Sequence, residues 1–128
     1  MRILLADDHP EVCSALRLLL EQGLELQVTA EVGDTASLLA CAERDCPDLL
    51  VLDWELPGSP LDTVLRRLRS RVPGMRVLAL SGRPEAKLAA LAAGASGFVD
   101  KGGFPEQFIN AIRDFEQTQA GQASGNPD

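Results

Sequence analysis

Histidine is almost missing from this sequence: His9 stands alone among 128 residues. A His-rich metal site is therefore excluded, and the lone ring reads as a loop residue just ahead of the first helix. Cysteine is scarce too. Cys13, Cys41 and Cys46 make an odd count without the paired spacing of a zinc site, and in a reducing compartment they read as thiols used for packing. No apolar run is long enough for a membrane span or a signal-peptide core, since the opening Met1 to Ala6 runs straight into Asp7 and Asp8. A cytosolic chain without membrane contact is the expectation. Positive charge is also in short supply, with 12 Lys and Arg against 19 Asp and Glu and a net charge of −7. Phosphate backbones are held by clustered cations, and none stands out along the chain, so direct nucleic-acid binding by it is not expected.

What the sequence does have is apolar material, 45% of its residues, enough for the core of one domain. Apolar runs alternate with helical stretches from end to end. Strands are expected at Ile3 to Ala6, Leu26 to Val32, Leu49 to Leu52, Arg76 to Leu80 and Gly97 to Val99. The third is apolar throughout, as a strand covered on both faces must be, and so belongs at the centre. Val12, Ala15, Leu16, Leu19 and Leu20 repeat at the spacing of one helix face, with Gly23 as the stop. Further helices are expected at Ser37 to Glu43, Leu61 to Arg71 and Glu85 to Ala93. Pro105 opens the last, whose buried stripe is Phe108, Ile109, Ile112 and Phe115. Right-handed crossovers then close an α/β fold with a doubly wound parallel sheet. Residues 1–116 form this domain, and the polar run 117–128 reads as a tail or the start of a linker.

In such a sheet ligands bind outside the carboxyl ends of the strands, so chemistry is sought there. Asp7 and Asp8 follow the first strand, Asp53 ends the third, Ser81 follows the fourth and Lys101 the fifth. Converging carboxylates repel, by roughly 4 kcal/mol for a unit pair about 4 Å apart at an effective dielectric near 20. Either a cation joins them or one stays protonated. All-oxygen ligands suit a hard ion such as Mg²⁺, which keeps waters and bridges to phosphate. Asp53 can then act as nucleophile toward phosphorus, with Lys101 offsetting charge and Ser81 bonding a phosphoryl oxygen. Gly82 leaves the approach open.

The run from Ile3 to Pro10, the block from Asp48 to Gly58, the Leu80-Ser81-Gly82 turn and the stretch from Ala93 to Lys101 resemble the CheY-like receiver domains of two-component response regulators. The Asp7-Asp8-His9-Pro10 opening and the spacing from Lys101 to Pro105-Glu106 resemble the NarL/LuxR type. The resemblance implies a flavodoxin-like sandwich with strand order 2-1-3-4-5. It implies Mg²⁺ bound by Asp7, Asp8, Asp53 and the backbone carbonyl of Glu55, and a phosphoryl group taken by Asp53 from a sensor histidine kinase or a small acyl phosphate. It also implies a switch at Ser81 and Phe98, and an output domain or homodimer engaged through the face of the fourth helix, fifth strand and fifth helix, or that of the first and fifth helices. Such a domain is a phospho-acceptor rather than a metabolic enzyme. Phe98 lacks the hydroxyl of a tyrosine, leaving ring packing to report the state of Ser81. A haloacid-dehalogenase-type phosphatase would place its nucleophile after the first strand and a second Asp two residues on, where Asp53 is followed by Glu55. A flavodoxin-like cofactor binder would need phosphate-holding N–H groups and hydroxyls where Asp7 and Asp8 stand.

Overall fold

The computed structural model describes residues 1–124, with side chains described through Thr118. Five parallel strands, β1 (Arg2–Ala6), β2 (Gln27–Val32), β3 (Leu49–Asp53), β4 (Arg76–Ser81) and β5 (Gly97–Asp100), form one sheet in the order β2-β1-β3-β4-β5. The helices between and after them are α1 (Pro10–Leu18), α2 (Thr35–Asp45), α3 (Leu61–Arg71), α4 (Lys87–Ala93) and α5 (Glu106–Ser124). All of β3 is buried, in keeping with its uninterrupted apolar sequence and its central place.

Two apolar layers explain why both faces of the strands had to be hydrophobic. Leu4, Ala6, Leu50, Leu52, Val77 and Ala79 pack with residues of α2, α3 and α4, among them Leu38, Leu65, Leu68 and Ala90. The alternate positions Ile3, Leu5, Leu49, Val51, Leu78, Leu80 and Val99 pack with Leu16 of α1, Leu20, and Phe108 and Ile112 of α5. Period-two alternation thus sorts neighbouring side chains of one strand into separate cores, the arrangement that a doubly wound sheet requires.

Local chemistry sets the ends of the elements. Asp34 caps α2 by accepting the Ser37 N–H at 2.7 Å, and that bond holds the Asp34 carboxyl below its ordinary pKa. Thr35 ties the start of α2 to the loop after β3: its N–H donates to the Pro57 carbonyl at 3.0 Å and its hydroxyl accepts the Ser59 N–H at 2.9 Å. Gly58 between them has φ +124°, and the Thr35 hydroxyl occupies the space where a Cβ would stand, so both conformation and room demand glycine.

Several expectations need correction. The first helix does not run uniformly to Gly23; it passes into a π-helical turn at Leu19–Gly23, and Ala15 of the supposed inner face is exposed. The last helix continues to Ser124, so 117–124, read as tail or linker, are helical, because Gln and Ala are good helix formers even without an apolar period. Residues 125–128 lie outside the described residues. Cys13 and Cys41 are buried packing thiols, Cys13 pushed up to about 11 by burial, but Cys46 is exposed at the left-handed end of α2. A basic row does exist: Arg66, Arg67, Arg69 and Arg71 are all exposed on α3. The net negative charge obscured it. Arg67 and Arg71 lie against Glu43 of α2, at 3.0 and 3.9 Å, and Arg69 donates to the Ala93 carbonyl at the end of α4 at 3.1 Å. Among the described residues no helix is long and apolar enough to cross a membrane.

Candidate functional site

The carboxyl ends of β1, β3 and β5 bring Asp7, Asp53 and Lys101 together, because these strands end level with one another in the parallel register. The Asp7 and Asp53 side chains are almost fully buried. Lys101 Nζ lies 3.7 Å from Asp7 Oδ2 and 3.6 Å from Asp53 Oδ1, close enough for charge pairing but longer than a hydrogen bond. Asp53 Oδ1 accepts the Glu55 N–H at 3.1 Å. Asp7 Oδ2 and Asp53 Oδ2 are buried with no hydrogen-bond partner among the described residues. A buried anionic oxygen without a partner is costly, and two beside one another are a place prepared for positive charge.

Burial raises the pKa of Asp53 above its ordinary value. The Glu55 N–H opposes that shift, the neighbouring Asp7 charge adds to it, and Lys101 offsets it. One ligand atom each from Asp7, Asp8, His9 and Asp53 fall within 4.8 Å of one another. Oxygen atoms of Asp7, Asp8 and Asp53 so placed fit a hard divalent cation, and the orphaned oxygens supply the independent sign that such a charge belongs there.

His9 is the residue that sequence reasoning missed. It is the residue ahead of α1, yet its ring makes no capping bond. Nδ1 lies 3.0 Å from Asp7 Oδ1 and 3.1 Å from Asp8 Oδ1 instead. The bond to Asp7, then the Asp8 charge, raise the His9 pKa. Its position directly after two acids was the available signal, obscured by treating one histidine as too few.

Ser81 is fully buried, and its hydroxyl donates to Glu55 Oε2 at 2.9 Å while accepting the Arg83 N–H at 3.0 Å. The same Glu55 oxygen pairs with the Arg83 guanidinium at 3.1 Å. Glu55 therefore links the loop after β3 to Ser81 and Arg83 at the end of β4. Trp54, next to Asp53, donates its backbone N–H to the Leu80 carbonyl at 2.8 Å and packs its partly buried ring against the core on the α2, α3 and α4 side. Phe98 of β5 is partly buried on that same side, opposite Ala79 in register. Gly82 would meet nothing within 4 Å if it carried a Cβ, so the fold itself does not demand a glycine there.

Fold and crevice together define a doubly wound α/β protein whose switch point carries carboxylates and a lysine rather than a cofactor-binding glycine loop. A profile of the response regulator receiver domain matches residues 3–113, and the chain belongs to that family. It is 40% identical over 116 residues to the transcriptional activator protein ExaE of Pseudomonas putida, covering 88% of this chain and 54% of that protein. To the DNA-binding transcriptional activator DevR/DosR of Mycobacterium tuberculosis it is 37% identical over 116 residues, covering 89% of this chain and 54% of the other. A crystal structure of a LuxR-family two-component response regulator from Aurantimonas sp. SI85-9A1 superposes with a TM-score of 0.80 at 34% identity, over 88% of this chain and 82% of that one. The chain spans about half the length of the curated relatives it matches.

Proposed function

We propose that Asp53 is the residue through which this receiver domain is switched, accepting a phosphoryl group from a sensor histidine kinase or a small acyl phosphate. The observation that carries the reading is that Asp53 Oδ2 and Asp7 Oδ2 are buried without a hydrogen bond, with Lys101 Nζ 3.6 Å from the other Asp53 oxygen and 3.7 Å from Asp7 Oδ2. A carboxylate oxygen attacks phosphorus, and the bond to the donor breaks with its electron pair on the leaving group. Asp7, Asp8, Asp53 and the Glu55 carbonyl would hold Mg²⁺, which supplies charge to offset the phosphoryl oxygens when bound. Lys101 adds a second, fixed positive charge from the opposite strand. Incubation with acetyl phosphate and Mg²⁺ is expected to add one phosphoryl mass, lost in Asp53→Asn and on chelation with EDTA; an unchanged yield in Asp53→Asn overturns the assignment.

Signalling follows from an exchange of partners. Before phosphorylation the Ser81 hydroxyl donates to Glu55. The phosphoryl group offers a stronger, charged acceptor, and as Ser81 turns toward it Phe98 moves into the vacated space. This domain is a regulatory acceptor in the cytoplasm rather than a metabolic enzyme. Its output, through a homodimer or an attached or separate partner, uses the face of α4, β5 and α5 or that of α1 and α5. Regulation of transcription would then rest with an output region, the half of the relatives that this chain does not span.

The Glu55 and Arg83 side chains sit across the mouth of the crevice and set how long the phosphoryl group lasts. They are 41% and 60% exposed, so their pairing is worth at most about 1 kcal/mol, equivalent to no more than about fivefold in rate. Glu55→Ala with Arg83→Ala is expected to speed loss of the phosphoryl group within that limit, and high salt is expected to do the same to the wild type. Dephosphorylation rates for all members of the double-mutant cycle across a salt series check it, and strictly additive effects without salt dependence contradict a paired lid.

A further inference from the structure

The acidic crevice carries a nitrogen donor at ligand distance. An octahedral ion with bonds of about 2.1 Å holds neighbouring ligand atoms about 3.0 Å apart and opposite ones about 4.2 Å apart. His9 Nδ1 hydrogen-bonds Asp7 Oδ1 at 3.0 Å and lies 3.1 Å from Asp8 Oδ1, so the ring already stands at the neighbouring separation from both carboxylates after β1, and an entering ion takes the place of the shared proton, which leaves to solvent. The backbone holds it there. Asp7 Oδ1 also accepts the His9 backbone N–H at 2.9 Å, Pro10 restricts the preceding residue to extended conformations, and His9 adopts one at φ −108°. No helix N–H competes for the ring, because His9 makes no side-chain capping bond.

The unpartnered oxygens are an independent observation pointing to the same place. Asp7 Oδ2 and Asp53 Oδ2 are buried and accept no hydrogen bond from His9 or from any other described residue, Lys101 Nζ standing 3.7 Å from Asp7 Oδ2 as a charge without a bond. An all-oxygen set of this kind favours Mg²⁺, which prefers oxygen and parts with its waters reluctantly. Adding an imidazole changes the preference, since nitrogen donors bind first-row transition ions well and affinity rises from Mn²⁺ toward Co²⁺ and beyond.

We propose that His9 supplies Nδ1 as a ligand beside Asp7, Asp8 and Asp53, making this a mixed nitrogen and oxygen site that binds Mn²⁺ and Co²⁺ more tightly than Mg²⁺. The inference rests on the metal-binding reading of the crevice and deepens it: His9 determines which ion the domain prefers.

The test is calorimetric titration of the unphosphorylated full chain with MgCl₂, MnCl₂ and CoCl₂, for wild type, His9→Ala, His9→Gln and Asp53→Asn, with the visible absorption of bound Co²⁺ as a second readout. His9→Ala is expected to weaken Co²⁺ by about tenfold or more, the scale on which even outer-shell partners of a metal act. Mg²⁺ should change by less than about twofold, because its preferred ligands are oxygens left in place. The Co²⁺ spectrum should shift in both His9 variants. Equal weakening of all the ions, or none, with an unchanged Co²⁺ spectrum overturns the role of His9 while leaving the metal site standing. Failure of wild type to bind any of the ions overturns the metal reading itself, and the inference with it.

Discussion

Lys101→Met is expected to slow phosphoryl transfer from acetyl phosphate by about 10²–10³-fold, the usual cost of removing one preorganised charge from the place where negative charge develops. Lys101 is the only lysine or arginine within pairing distance of the Asp7 and Asp53 carboxylates among the described residues, and the only group that pairs with both. It reaches them at 3.6 and 3.7 Å without a direct hydrogen bond, so it is not spent on holding either carboxylate in place. Its charge remains available to oxygens arriving with a substrate. A role in transfer also separates from a role in metal binding by sign. Removing a positive charge beside the acids strengthens their attraction for Mg²⁺, so Lys101→Met should bind Mg²⁺ at least as tightly as wild type while transferring far more slowly. Rates by mass spectrometry of quenched samples, paired with Mg²⁺ titration of Trp54 fluorescence, provide the check. Transfer within about threefold of wild type would contradict the electrostatic role assigned to it.

Asp53→Asn is expected to raise the melting temperature at neutral pH without Mg²⁺ and to remove most of the stabilisation that Mg²⁺ gives. Burial, first of all, raises the folded-state pKa of Asp53, so its ionised form is less favourable in the folded chain than in the unfolded one. A raised carboxyl pKa means that the folded state holds its proton over a range where the unfolded state has lost it. The resulting penalty is absent below the unfolded value near about 3.9 and fully present above the folded one. The advantage of the variant should therefore appear as pH rises through that window and vanish below it. For the wild type, Mg²⁺ at about a hundred times its Kd adds about 2.7 kcal/mol, or roughly 10 °C for a domain of this size. Thermal melts at about pH 3 and about pH 7, with and without Mg²⁺, decide both parts. A variant less stable than wild type at pH 7 would show that Asp53 is held by favourable contacts and carries no penalty.

Much of this could be read from the chain before folding. The apolar run Leu49 to Leu52 announced a strand covered on both sides, and it is the central one. Leu61–Arg71 has the bounds that its periodicity predicts, because Pro60 and Pro73 bracket it. Asp7, Asp53 and Lys101 converge because strand-end positions follow from topology alone. What was not legible depends on rotamers and on weak signals. The Ser81 hydroxyl pairs with Glu55, a residue distant in sequence, and no pattern encodes which way a hydroxyl turns. The length of α5 rests on propensity without an apolar period, so hydrophobic patterning ended it too early. The role of His9 depends on a ring leaving its helix for two carboxylates, a choice between local partners that sequence leaves open.

The two-sided core also decides who can hear the switch. Ser81 lies two positions beyond Ala79 on β4, and Phe98 faces Ala79 across the ladder, so both belong to the side of the sheet lined by α2, α3 and α4. Leu78, Leu80 and Val99, whose side chains point the other way, belong to the layer under α1 and α5. The sheet is thus a partition with a listener on one side only. In the proposed switch, a rotation of Ser81 followed by Phe98 would disturb the packing under α4 directly, while α5 would receive it through the movement of β5, the four-residue edge strand that both layers share.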